Sequence, residues 1–152
     1  MSIIGRPPRV TLKWQYPCVI ENVLIDDRIY ERGVYYISRK FGRKETLLYI
    51  GKTYISFRDR LLSHIENEKF ANYRGKLLVR LGFIFMPVNK TEGELRSLIN
   101  DVERGLIYEM HDFLPENQKG KFSYTPTKFY TITNKGFRGI LPTTIIMREH
   151  IE

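Results

Sequence analysis

Two short apolar segments, separated by a polar stretch, constrain the fold of this chain more than any other feature of its sequence. Val34 to Ser38 and Leu47 to Gly51 are rich in tyrosine, isoleucine, valine and leucine. The residues between them, Arg39 to Glu45, are mostly polar and include Gly42. Such runs on either side of a polar, glycine-containing turn are typical of a β-hairpin. The sequence therefore predicts an antiparallel hairpin here.

Two helices are predicted after the hairpin. Ser56 has the features of an N-cap, and apolar residues at helical spacing follow it to about Glu68. Thr91 begins a longer helix, in which Glu94 completes a capping box and an apolar stripe continues to Met110. This second helix is the most strongly patterned element of the sequence.

The remaining segments predict shorter strands. Apolar and polar residues alternate between Val10 and Trp14, as in a half-buried strand. Leu77 to Leu81 fits a short helical turn, and Phe83 to Met86 fits a buried third strand of the central sheet. Lys128 to Thr133 predicts a last strand. At 152 residues, the chain has the size of one domain.

The distribution of charge narrows the class of function. The formal net charge is +8. Seven basic and two acidic residues lie between Arg39 and Arg60, and five basic and no acidic residues lie between Lys119 and Arg138. Seven acidic and two basic residues lie between Glu92 and Glu116. This segregation favours a protein that binds a polyanion and gathers carboxylates around a divalent metal, rather than a set of merely solvated faces.

Cysteine content and hydropathy predict the compartment. The single cysteine, Cys18, cannot form an intrachain disulfide, which favours a reducing environment. No apolar run approaches the roughly 18 residues of a membrane span, and the N-terminus has no apolar signal core. We therefore expect a soluble, cytoplasmic protein that does not enter a membrane.

Charged residues at the margins of the predicted helices are candidates for chemistry. Arg60 and His64, at i and i+4, lie on one face of the first helix, beside its apolar stripe. On the second helix, Glu103 falls within the apolar arc, where an ionised carboxylate is costly unless it is paired or binds a metal. Glu109 falls within the same arc, so periodicity alone does not separate the two.

The order of these residues resembles the GIY-YIG nuclease family. The resemblance runs from Gly33-Val34-Tyr35 through Tyr49-Ile50-Gly51, Arg60 and His64 to Glu103, and it covers about residues 33 to 117. It implies a single nuclease domain of the α/β class, with a small central three-stranded antiparallel sheet flanked by helices. Residues 1 to 32 would then be an N-terminal extension, and residues 118 to 152 a basic, aromatic C-terminal extension.

The resemblance also implies an activity. Members of this family cut DNA phosphodiester bonds in repair, homing and restriction, with a divalent metal held by one glutamate. Glu103 would thus hold Mg²⁺ or Mn²⁺, and Arg60 would clamp the scissile phosphate with its bidentate fork. Tyr35 or Tyr49 would orient or deprotonate the attacking water, and the sequence does not decide which.

Three further residues complete the predicted catalytic set. Lys52 directly follows Gly51, and either its charge or that of the metal would have to lower the pKa of the phenol for base catalysis at neutral pH. His64 is similar to a histidine that some members place one turn after the arginine, where it would hold a phosphate or relay a proton. Many members carry an asparagine after the metal helix, which here would be Asn117 or, alternatively, Asn134.

The chain departs from the family pattern in two respects. Val34 stands where isoleucine is usual, and thirteen residues separate Tyr35 from Tyr49, which lengthens the predicted basic loop of the hairpin. That loop is either a DNA-contacting insertion or a solvated turn. The basic C-terminal segment likewise either binds DNA or supplies a strand whose rings close the core. The basic side chains expected to contact the DNA backbone are Arg39, Lys40, Arg43, Lys44, Arg58, Lys119, Lys121 and Lys128.

These observations favour a metal-dependent DNA endonuclease whose substrate is double-stranded or branched DNA. The alternative is a catalytically inactive nucleic-acid-binding module with the same fold, and a basic protein-interaction domain is a more distant third hypothesis. A restriction-like enzyme would need a homodimer to cut both strands, whereas a repair or mobile-element nuclease can act as a monomer.

Overall fold

One mixed β-sheet, curled into a half-barrel, organises the molecule. The computed structural model describes residues 7–85, 90–117 and 125–148. In these ranges the sheet has seven strands: β1 (Arg9–Trp14), β2 (Cys18–Val19), β3 (Gly33–Phe41), β4 (Lys44–Thr53), β5 (Lys76–Phe85), β6 (Thr131–Gly136) and β7 (Thr144–Ile146). The two α-helices of the same ranges are α1 (Phe57–Glu66) and α2 (Glu92–Glu109). Short 3₁₀ turns occupy Ile20–Ile25, Asp27–Tyr30 and His111–Phe113.

The predicted fold, a small three-stranded sheet flanked by helices, is wrong. The strand order is β4-β3-β5-β1-β6-β7, and β2 also pairs with β5. β1 pairs antiparallel with β5 and parallel with β6, which makes the sheet mixed. The segments predicted as terminal extensions therefore supply four of the seven strands. Pairing with β1 satisfies the backbone groups along the edge of β5 that a three-stranded sheet would leave open.

β5 is one continuous strand, so the helical turn predicted at Leu77–Leu81 is also wrong. Its neighbours on both sides, β3 and β1, fix ten residues in an extended conformation. Gly82 does not break the strand but lets the ring of Trp14 approach, because a Cβ there would lie only 2.8 Å from Cζ3 of Trp14. The sequence pattern failed to predict this strand because both of its faces are covered, so apolar and polar residues do not alternate along it.

The hairpin is confirmed, but the predicted long basic loop does not exist. β3 and β4 stay paired as far as Phe41 and Lys44, which leaves Gly42 and Arg43 as a two-residue turn. Gly42 has a φ of 64°, a left-handed conformation that glycine adopts without steric cost. Arg39, Lys40 and Lys44 are accordingly strand residues.

The predicted helices are confirmed at their N-termini. The Ser56 side chain accepts a hydrogen bond from the Asp59 N–H at the start of α1. Thr91 and Glu94 form the reciprocal capping box of α2. The helices pack against different hydrophobic clusters: α2 covers the sheet face that carries Val34 and Ile50, and α1 covers the face that carries Tyr35 and Ile37. Within the described ranges, the chain contains no helix long and apolar enough to cross a membrane.

Candidate functional site

A cavity of about 750 Å³ lies where β4 forms the edge of the sheet. Because no strand of the described ranges pairs with the outer side of β4, side chains from both faces of the sheet reach this edge. Tyr49, which pairs with Ile37, comes from the α1 face, and Lys52, which pairs with Val34, comes from the α2 face. The basic residues lining the cavity are Lys52, Arg60, Lys69, Arg96 and Arg104, and its two carboxylates belong to Glu103 and Glu116.

Gly51, at the end of the Tyr49-Ile50-Gly51 segment, makes room for the ring of Tyr35. Gly51 lies opposite Tyr35 in the β3–β4 ladder. A Cβ at Gly51 would lie 2.8 Å from Cε1 of Tyr49 and closer still to the Tyr35 hydroxyl. The Tyr35 ring therefore crosses directly over the backbone at Gly51, which gives the glycine at this position a steric cause.

Tyr35 and His64 form a buried hydrogen-bonded pair. The Tyr35 hydroxyl lies 2.8 Å from Nε2 of His64. Burial, with Lys69 and Arg60 nearby, lowers the pKa of His64 to about 4, so the imidazole is neutral at pH 7. Burial raises the pKa of Tyr35 well above that of an exposed phenol. Arg60 and Tyr49 also neighbour the Tyr35 hydroxyl, which is thus the centre of a small buried polar group.

Tyr49, in contrast, opens onto the cavity. Its side chain is half-buried and lines the cavity, whereas Tyr35 is fully buried. The Nζ of Lys69 lies 4.2 Å from the centroid of the Tyr49 ring, within the range of a cation–π contact. Glu68, just before Lys69, has a φ of 49°, a conformation unusual outside glycine, which turns the chain as it leaves α1.

Arg60 reaches the cavity from α1. It is an exposed residue of α1 that lines the cavity. Tyr35 and Tyr49 neighbour its guanidinium and raise its pKa, and burial opposes that effect. The structure thus places Arg60 beside Tyr35 and Tyr49, and His64 joins this group through its contact with Tyr35.

Glu103 and Lys52 form an ion pair in the lining of the cavity. Nζ of Lys52 donates to Oε1 of Glu103 at 3.1 Å and to Oδ1 of Asn100 at 3.0 Å. Burial raises the pKa of the Glu103 carboxyl, and Lys52 partly opposes that rise. The same geometry separates the two glutamates that periodicity left equivalent. Glu103 is buried at the cavity, whereas Glu109 is exposed and lies outside its lining.

The two candidate asparagines are both engaged in structural hydrogen bonds. Asn117 accepts from the Ile50 N–H and donates to the Ile50 carbonyl, each at 2.9 Å, so it binds the edge of β4 as a further strand would. Its amide is thereby occupied, and it positions the backbone between Tyr49 and Gly51. Asn134 accepts from the Trp14 indole and donates to the Pro142 carbonyl, in the opposite part of the sheet.

The basic residues predicted to bind DNA lie mostly outside the cavity. Arg39 and its neighbours are at the far end of the hairpin, about 13 Å along the strand from Tyr35 at about 3.3 Å per residue. Arg58 is exposed on α1, and Lys128 is exposed in the segment before β6. Lys119 and Lys121 lie outside the described residues. The structure thus brings together the predicted catalytic residues but not the predicted DNA contacts.

Sequence reasoning missed three cations of the cavity. Lys69 follows α1 without a motif, and Arg96 and Arg104 lie in a segment that was assigned as acidic. For Arg96 a signal existed, because it precedes Glu103 by seven residues, or two helical turns, and so lies on the same face; Arg104, directly after Glu103, had none. Glu116 was missed as well, and it accepts a hydrogen bond from Tyr73, which raises the pKa of that phenol to about 12.

The donor set of the cavity fits one kind of metal. No cluster of three or more histidine, cysteine, aspartate or glutamate side chains occurs in the described part of the chain. A divalent cation in the cavity would meet single carboxylates, those of Glu103 and Glu116, and no ready-made cluster of ligands. Mg²⁺ retains most of its waters and takes few protein ligands, so this set suits Mg²⁺ or Mn²⁺ better than a metal that needs a closed cage.

Comparison of the sequence with protein-family models and with curated proteins, and of the fold with solved structures, found no match. The functional interpretation therefore depends on the geometry of this cavity and on the order of its residues in the chain.

Proposed function

We propose that this protein is a metal-dependent endonuclease that hydrolyses DNA phosphodiester bonds. The observation that carries the proposal is the convergence of Tyr49, Arg60 and Glu103, from three elements, on one cavity. Phosphodiester hydrolysis requires an activated water, charge neutralisation at the phosphoryl oxygens and help for the leaving oxygen. These side chains supply a group for each of the first two requirements.

Tyr49 is the phenol that meets the attacking water. It lines the cavity, whereas Tyr35 is fully buried and its hydroxyl is engaged with His64. The ammonium of Lys69 lies over the Tyr49 ring and helps to hold that ring at the cavity by a cation–π contact. Tyr35 and His64 act behind it as a neutral, hydrogen-bonded support.

Arg60 holds the scissile phosphate. Its guanidinium is exposed at the cavity and can present two parallel N–H groups to one phosphate. Because the same group neighbours Tyr49, a phosphate bound by Arg60 lies beside the phenol that orients the water.

Glu103 would hold the divalent cation, which when bound supplies positive charge to the phosphoryl oxygens and the leaving oxygen. The excess of cations over carboxylates in the cavity favours an anionic polymer as the ligand. The exposed bases of the hairpin and of α1 extend the positive surface beyond the cavity, which supports DNA as the substrate class.

Cleavage of supercoiled plasmid in Mg²⁺ or Mn²⁺ tests the proposal. We expect nicked or linear products that disappear with EDTA and in the Glu103→Gln and Arg60→Ala variants. Glu109→Gln is the matched control, because Glu109 is on the same helix but outside the cavity, and it should cleave like the native protein. Cleavage by Glu103→Gln at the native rate would contradict the proposed role of the carboxylate.

A second candidate function is a DNA-binding module without catalysis. The observation that favours it is the ion pair between Lys52 and Glu103, which engages the carboxylate assigned to the metal. That module would retain salt-dependent binding of plasmid and of branched DNA but would cleave neither under any divalent metal. The same assay, run with a gel-shift measurement, separates the two functions.

A further inference from the structure

The ammonium of Lys52 occupies a small oxygen site on α2. Asn100 Oδ1 and Glu103 Oε1 lie 3.0 and 3.1 Å from its Nζ. The two residues are three positions apart on the helix, so their side chains lie on the same face about one turn apart. A carboxylate and an amide oxygen that converge on one point are hard donors of the kind that Mg²⁺ and Mn²⁺ prefer.

A divalent cation and the ammonium cannot share this point. The two like charges would repel each other strongly in a partly buried site, where both side chains of the ion pair are less than a quarter exposed. Lys52 must therefore leave the pair of oxygens when a divalent cation binds there.

The Lys52 side chain borders the cavity, so its ammonium can leave the two oxygens. It lines the cavity, and its Nζ lies 5.6 Å from the centroid of the Tyr54 ring, which also lines the cavity. Arg96 contacts the same ring at 5.6 Å. A lysine stem anchored on β4 can thus turn from α2 into the cavity, towards the place where a bound phosphate would attract the ammonium.

We propose that Lys52 is a tethered cation that occupies the Asn100 and Glu103 oxygens in the free protein and is exchanged for a divalent cation, with Asn100 as its second protein ligand. The inference rests on the proposed role of Glu103 in metal binding and deepens it. Its consequence is that the free protein binds the metal weakly. A phosphodiester that draws Lys52 into the cavity strengthens metal binding, and the metal strengthens phosphodiester binding by the same factor.

Binding of Mn²⁺ alone, followed by electron paramagnetic resonance or calorimetry without DNA, tests the exchange. We expect Lys52→Met to bind Mn²⁺ at least about tenfold more tightly than the native protein, and adding Glu103→Gln to this variant should abolish the gain. Adding Asn100→Ala instead should remove part of it. Lys69→Met is the matched control, since it removes a cation from the same cavity without an ion pair to Glu103, and it should change affinity less than about threefold.

Three outcomes would overturn the inference in whole or in part. Equal affinities of Lys52→Met and the native protein, or equal gains in Lys52→Met and Lys69→Met, would show that Lys52 does not compete for the site. An Asn100→Ala change without effect in the Lys52→Met background would remove Asn100 from the ligand set. Far-ultraviolet circular dichroism verifies folding, and Lys52→Gln replaces Lys52→Met if the latter does not fold. The Mn²⁺ titration contains no DNA, so its result is independent of the plasmid assay. Tighter Mn²⁺ binding by Lys52→Met together with no plasmid cleavage by the native protein would support the exchange and refute the nuclease.

Discussion

The Tyr35 hydroxyl lies 2.8 Å from Nε2 of His64, and both side chains are buried. This bond joins β3 to α1 behind the cavity and leaves Tyr49 as the phenol at its surface. The two tyrosines of the motifs therefore have different environments, and their removal should have different consequences.

Tyr49→Phe should lower the rate of plasmid cleavage by about a hundredfold or more, because the proposed mechanism assigns its phenol to the attacking water. Its stability should change little, since the hydroxyl is at a half-buried position. Tyr35→Phe should lose about 1–3 kcal/mol of unfolding free energy, because the buried imidazole loses its partner. Rates under single-turnover conditions and urea unfolding separate the two effects. A larger loss of rate per folded molecule in Tyr35→Phe than in Tyr49→Phe would reverse the assignment.

His64 should make the protein less stable in mild acid. Its pKa is about 4 in the folded chain and 6.5 without the protein environment, so the unfolded state binds the proton first as pH falls. The stability that depends on the neutral imidazole is present above pH 6.5 and is lost as pH falls from 6.5 to about 4. The loss between pH 7 and pH 4.5 should be about 2–3 kcal/mol.

The control for this prediction is His64→Gln, because the glutamine side chain at position 64 does not titrate. Urea unfolding of both proteins at pH 7 and pH 4.5 gives the two losses of free energy. The loss in the variant should be smaller by the amount assigned to His64, and equal losses would show that the imidazole takes its proton freely in the folded chain.

Gly51→Ala should destabilise the protein by about 1–3 kcal/mol, the usual cost of overpacking a well-packed core. The added methyl group would overlap the rings of Tyr35 and Tyr49, which are held by their contacts with His64 and Lys69. Thermal unfolding measures the effect. Gly93→Ala, in the first turn of α2 with open space around it, is the control and should leave stability unchanged or raise it slightly. Similar melting temperatures for the two variants would show that the tyrosines move aside.

Asn117→Ala should reduce stability by about 2–3 kcal/mol, because it removes both hydrogen bonds to the backbone of Ile50 at the sheet edge. Asn117→Asp should lose a similar free energy of unfolding, since a carboxylate cannot donate to the Ile50 carbonyl. Denaturant unfolding gives the values, and hydrogen exchange at the Ile50 amide reports the local effect. Unchanged exchange at Ile50 in Asn117→Ala would contradict the clamping role.

Local features of the fold followed from the sequence because their causes are local. The caps at Ser56 and Thr91 and the stripe of α2 depend on side chains within a few residues of each other, so periodicity and capping rules predicted them. The hairpin was predicted for the same reason, although its strands proved longer than the apolar segments. The order of Tyr35, Tyr49, Arg60 and Glu103 was likewise visible in the chain.

Tertiary structure decided what depends on distant parts of the chain. β1 and β6 pair across more than 100 residues, and no local pattern indicates that partnership or the seven-stranded sheet that results. The choice of Glu103 over Glu109, and of Tyr49 over Tyr35 at the cavity, depends on which face the rest of the molecule covers. Periodicity assigns a residue to a face of its own helix or strand, but burial, pairing with Lys52 and access to the cavity arise only when the elements pack together.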